Sequence, residues 1–158
     1  MGLDMYLIKK EKGERKNSNS WNEVAYWRKA NHIHKWFVDN VQKGIDDCGY
    51  YKVSKKKLEE LKNICEELIN KIVLVDGEVK NGVTLKDGEW QLILEDGKRI
   101  SNSEICEELL PTQSGFFFGS TEYDQYYYDD VFLTYEQLKT ILQETDFENE
   151  YIVYHSSW

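Results

Sequence analysis

Residues 2–8, Gly-Leu-Asp-Met-Tyr-Leu-Ile, constrain the fold most. In an extended chain Leu3, Met5 and Leu7 point to one side, and Asp4, Tyr6 and Ile8 to the other. Both sides are largely apolar, which predicts a strand inside a sheet. Asp4 is the exception. A buried acid needs a partner, and His155 is the candidate. Residues 151–155, Tyr-Ile-Val-Tyr-His, read as a final strand. It is expected to pair with the first strand or lie near it, because sheet edges must be paired or protected.

Helical patterns fill much of the chain between these strands. The spacing predicts one long helix over 22–42, with Tyr26, Trp27, Ala30, Ile33, Phe37, Val38 and Val41 on one broad face. His34 falls within that face. His32, Trp36, Arg28 and Lys29 fall opposite, and Gly44 stops the helix. Residues 9–20 are charged and rich in Ser and Asn, and read as a mobile loop. Residues 44–52 lead as a loop into a short extended piece. Ser54 caps a second helix at 55–72, lined by Leu58, Leu61, Cys65, Leu68 and Ile72. Ser101 and Glu104 form a capping box for a short helix ending before Pro111. A helical segment at 122–131 is followed by another at 135–144, the latter with Thr134 and Gln137 as its own box.

Residues 73–100 change character. Asp76-Gly77, Asn81-Gly82, Asp87-Gly88 and Asp96-Gly97 are turn signals between short β-rich runs. They predict a β-meander or a pair of hairpins. The fold class is therefore α+β: a small sheet including both terminal strands, packed by three or four helices, with a β-hairpin elaboration at 73–100. At 158 residues the chain fits a single domain, 1–158.

The net charge of -9 is uneven. Residues 101–158 carry one basic residue, Lys139, against 12 acidic ones. That disfavours binding along a nucleic-acid backbone but leaves room for a small anionic ligand in the more basic part. Cys48, Cys65 and Cys106 have no CxxC spacing, so neither a disulfide framework nor a zinc ribbon is expected. No run approaches a membrane span, and charge follows the first apolar run, the reverse of a secretory signal. The expectation is a soluble cytoplasmic protein without a cofactor.

Aromatic residues concentrate at 116–135, with nine in 20 positions. Gly115 and Gly119 beside them permit close backbone approach. The run reads either as a core or as a cradle that stacks a flat ligand. Three consecutive phenylalanines on a strand cannot all face one way. His32 and His34 are two residues apart, so on a helix they diverge and cannot share a metal ion. His34 is either a hydrogen-bonded core residue or a pocket wall. Trp36 either marks a binding surface beside Arg28 and Lys29 or is covered by another segment. Asp46-Asp47 reads first as a turn or cap.

The candidate ligand-binding residues are Arg28, Lys29, His32, His34, Trp36, Ser114, Gly115, Phe117, Ser120, Thr121 and Tyr123. Arg28, Lys29 and His32 would offer charge to phosphate. Trp36 or the aromatic run would stack a base, and the residues at 114–121 would supply donors. No metal site is assigned. A hydrolase would draw instead on Asp4, His34, Asp46, Asp47 or His155, or use two of the carboxylates Asp4, Asp46, Asp47, Asp124, Asp129 and Asp130 with a divalent ion. A protein-docking module would draw on Trp36. A homodimer is a further possibility for an aromatic-rich small domain.

Five stretches carry a resemblance: Met-Gly-Leu-Asp-Met-Tyr-Leu at the start, residues 23–37, Asp46-Asp47-Cys48, residues 109–124 and Tyr154-His-Ser-Ser-Trp158. Together they resemble a widespread family of small phage and prophage proteins. The likeness spans most of the chain outside 9–20 and 73–100, and marks 73–100 as an elaboration. It implies an accessory role in a host cytoplasm, such as sequestering a nucleotide-derived defence signal, and carries over no catalytic residue.

Overall fold

The computed structural model describes residues 2–158. Strand β1 (Asp4–Glu11) lies between β2 (Glu23–Arg28) and β6 (Glu150–Ser157), and β3 (Tyr50–Val53) pairs with the other edge of β6. The order β2-β1-β6-β3 is antiparallel throughout. The first and last strands are thus the central pair of an α+β domain, as their apolar character predicts. Leu3, Met5, Leu7, Ile152 and Tyr154 face a core closed by four helices. The opposite face carries a smaller cluster of Ile8, Tyr151 and Val153.

The helices are α1 (Asn31–Asn40), α2 (Lys55–Lys71), α3 (Ser103–Leu109) and α4 (Gln125–Glu144). Helix α2 starts as expected, with the Ser54 hydroxyl accepting from the Lys57 N–H at 3.2 Å. Its Cys65 is buried, as is Cys106 of α3, and burial pushes both thiols up. Helix α3 has no capping box. Asn102 precedes it and instead ties the Val73 N–H to the Lys71 carbonyl.

The expected helix over 22–42 is corrected to strand, turn and helix. Residues 23–28 bury Ala25 and Trp27 and expose Tyr26 and Arg28, a period of two that β1 can pair. Lys29 turns the chain with φ 56°, and α1 begins at Asn31. The two helices expected in the region of α4 are one. Thr134 sits inside it, its hydroxyl donating to the Asp130 carbonyl at 2.6 Å and accepting from Trp27 Nε1 at 2.8 Å. Bonded back into the preceding turn, Thr134 continues the helix where a cap would start a new one. The actual N-cap is Asp124, which accepts from the N–H groups of Tyr126 and Tyr127.

Residues 73–100 form one long hairpin, β4 (Leu74–Lys86) with β5 (Glu89–Ile100). Only Asp87-Gly88 makes its turn, both residues having positive φ. Gly77 faces Gly97 across the ladder, and Asn81-Gly82 falls at a break in register. The segment read as a mobile loop is also tethered. Strand β1 runs to Glu11, and the buried Lys10 ammonium donates to both carbonyls and both hydroxyls of Ser18 and Ser20. A buried charge needs such partners. No helix among the described residues is long and apolar enough to cross a membrane.

Candidate functional site

The turn after β2, the strand β4 and the start of α4 enclose a cleft of about 370 Å³. Arg28 and Lys29 enter it from the turn, Lys80 from the hairpin, and Asp129 and Asp130 from the helix. Gly119 and Ser120 complete the wall. Of the candidate ligand-binding residues, Arg28, Lys29, His32 and Ser120 meet here. They meet because Lys29 folds back at a left-handed corner, and not because they share a helix face.

Two contacts explain the wall. Asn31 donates from Nδ2 to the carbonyls of Phe118 (2.9 Å) and Ser120 (2.8 Å), while its Oδ1 accepts from the Gln113 N–H at 2.9 Å. One buried side chain therefore pins the whole 113–120 loop. Gly119, with φ +84°, lies against Lys29 so closely that an added Cβ would stand 3.0 Å from Lys29 Cβ. Sequence patterning passed over Asn31, although it sits within the segment that drew attention.

The electrostatics are mixed. Lys80 and Arg99 both bond Glu122, at 2.5 and 3.2 Å, and hold its carboxyl below the usual range. Arg28 pairs with Asp4 at 2.9 Å. Lys29 makes no ion pair among the described residues. Burial and the nearby charges of Asp129 and Asp124 push Asp130 up to about 7. His32 is 4% exposed, stacked on Tyr127 at 4.1 Å, and burial pushes it down to about 3. Its Nε2 is buried without a protein partner. His32 therefore lines the cleft as a neutral ring and supplies no positive charge to phosphate, which corrects the role expected of it.

The remaining candidates lie elsewhere. Trp36 is buried in the core and packs on Phe37, because α1 is covered on nearly every side, with Asn31, His32, Ile33, His34, Trp36 and Phe37 all buried. It is no surface anchor. His34 is fully buried. Its Nε2 lies 2.9 Å from Asp46 and its Nδ1 2.6 Å from the Tyr154 hydroxyl. A carboxylate takes an N–H, so Nδ1 is left to accept from the phenol, and a neutral imidazole is satisfied. His34 thus holds both roles considered for it, since it also lines a separate cavity of about 220 Å³ with Phe118 and Asp46.

Ser114, Gly115 and Thr121 are exposed, Phe117 and Tyr123 half-buried, and none lines the cleft. The aromatic run divides: Phe116 is 94% exposed, while Phe118 and Tyr127 are core. Asp47 accepts from the Gly49 N–H and from the Tyr51 hydroxyl, the turn role expected of it. Asp4 does not meet His155. It accepts from Tyr26 and Arg28, the Tyr26 bond chiefly holding its carboxyl below the usual range. His155 faces Tyr6 in the ladder, lies flat on Tyr50 at 4.1 Å and bonds the Gly49 carbonyl. Among the described residues, no three His, Cys, Asp or Glu side chains converge to hold a metal ion. No protein-family model matches the chain, and neither a curated protein nor a solved structure matches it significantly.

Proposed function

We propose that this protein binds a small anionic, nucleotide-like ligand in the cleft and holds it without chemistry. The observation that carries the reading is the convergence of Arg28, Lys29 and Lys80, from two separate elements, on a cleft walled by α4. Basic side chains would meet phosphate oxygens through charge-assisted hydrogen bonds. Asp129 and the Tyr126 ring, also on the wall, offer an acceptor for base N–H groups and a flat apolar surface. The volume falls in the range of small-molecule sites, about 300–1,000 Å³. In a phage setting, which the motif resemblance supports, such a binder would sequester a host signal. Calorimetry against cyclic and linear nucleotides tests it. Heat of binding that is lost in Lys29→Glu and Lys80→Glu supports the reading. No binding by freshly prepared protein to any member of the panel rejects it.

One observation favours a hydrolase in the same cleft. Asp130, raised to about 7, is suited to donate a proton near neutral pH. Turnover separates the two readings: a binder returns its ligand intact after denaturation, whereas a hydrolase does not, and Asp130→Asn would stop it.

A further inference from the structure

Among the hydrogen bonds of the described residues, the outer half of the hairpin touches the rest of the molecule only at its base, through Lys80 to Glu122 and Tyr126 to Glu95. Every residue from Lys80 to Asp96 is exposed. A two-stranded ribbon alone is marginally stable in water, so a ribbon of this length needs something to cover it. Its side chains are sorted for that purpose. Directly opposed residues share a face of an antiparallel pair. Val83 opposes Leu92 and Leu85 opposes Trp90, with Leu94 next along the same side of β5, opposed by Lys80 at the edge of this face. The other face carries Thr84, Gln91, Lys86 and Glu89, and Ile93 alone is apolar there.

The geometry points to this face as a homodimer interface, on which Val83, Leu85, Trp90, Leu92 and Leu94 of two copies of this chain pack together. The five side chains are each 53% to 73% exposed. They offer on the order of 600 Å² of surface, against roughly 800 Å² per partner in a standard interface. Face-to-face packing of two ribbons would make a four-stranded sandwich with the apolar sides inward. A second copy fits the charge as well. The chain is -9 overall, yet residues 80–94 hold Lys80 and Lys86 against Asp87 and Glu89 and are neutral. Two copies can approach there without opposing like charges.

Sedimentation or light scattering tests this on the full chain. The wild-type protein is expected at twice the 18.8 kDa chain mass at high micromolar concentration. The double variant Trp90→Lys, Leu92→Lys should run at the single-chain mass. Gln91→Lys, on the opposite face of the same ribbon, should remain dimeric. All these positions are exposed, so far-UV circular dichroism and the melting temperature check that each variant is folded. A wild-type protein that stays monomeric overturns the proposal, including where Trp90 proves to hold a different protein. So does a dimer that survives the double variant or is lost equally in Gln91→Lys.

Discussion

Gly119 packs directly on Lys29, and this contact joins the loop before α4 to the left-handed corner after β2. Gly119→Ala carries two costs. A left-handed φ disfavours any residue with a Cβ by about 1–2 kcal/mol. The new methyl also stands 3.0 Å from Lys29 Cβ, and the corner must yield. Gly13 has φ +99° with nothing near its added Cβ, so Gly13→Ala reports the backbone cost alone. Urea denaturation should show Gly119→Ala as the more destabilised variant. Of the two, only Gly119→Ala should alter ligand binding in the cleft.

Asn31 closes three hydrogen bonds to the same loop, and Asn31→Asp tests them without changing size. The substitution replaces the amide donor with an oxygen facing the carbonyls of Phe118 and Ser120. Losing two buried donors and adding repulsion should cost about 2–4 kcal/mol. Hydrogen exchange should rise at residues 112–120 and change little in β1 and β6. Uniform change across the sheet would show that Asn31 supports the whole domain and not the loop.

Local signals in the sequence were legible where local interactions decide the outcome. Ser54 caps its helix with an N–H three residues on, and the terminal strands are apolar enough to require the centre of a sheet. Residues 22–42 misled because Trp27 fits a helical face with Ala30 and Ile33 and a strand face with Ala25 alike, and pairing with β1 decides between them. Helix α1 is then short and buried nearly all round, so His32 and Trp36, expected on an open face, lie inside. The cleft was half legible. Arg28, Lys29, His32 and Ser120 were named as ligand contacts and Asp129 and Asp130 only as loose carboxylates, while Lys80 was not named, since only tertiary folding brings the hairpin and α4 beside the turn.

His32, buried, and Asp130, partly buried, give opposite pH dependences. His32 is depressed in the folded state to about 3, so the unfolded chain binds the extra proton first. Stability is then lost as pH falls below about 6.5, by roughly 2–3 kcal/mol at pH 4.5. His32→Phe keeps a ring on Tyr127 and should remove this loss. Asp130 is raised in the folded state to about 7. The unfolded chain releases that proton first, so stability falls as pH rises from about 4 to 7 and is flat above. Asp130→Asn should be more stable than the wild type above pH 7, with the gain vanishing near pH 4. Melting curves of the two variants across pH separate the effects.

Glu122 competes for the cations that a ligand would use. It holds Lys80 and Arg99 together, and both bonds are broken or weakened in Glu122→Gln. These pairs are partly exposed, so the variant should lose no more than about 1 kcal/mol of stability. The ligand, in contrast, should gain, because Lys80 no longer has to leave a carboxylate to meet a phosphate. Affinity for an anionic nucleotide, or for inorganic triphosphate as a probe, should rise severalfold and depend more steeply on salt. If binding weakens instead, Glu122 accepts a hydrogen bond from the ligand and the anion lies elsewhere in the cleft. If it is unchanged, Lys80 does not touch the ligand, and Arg28 and Lys29 carry the charge alone.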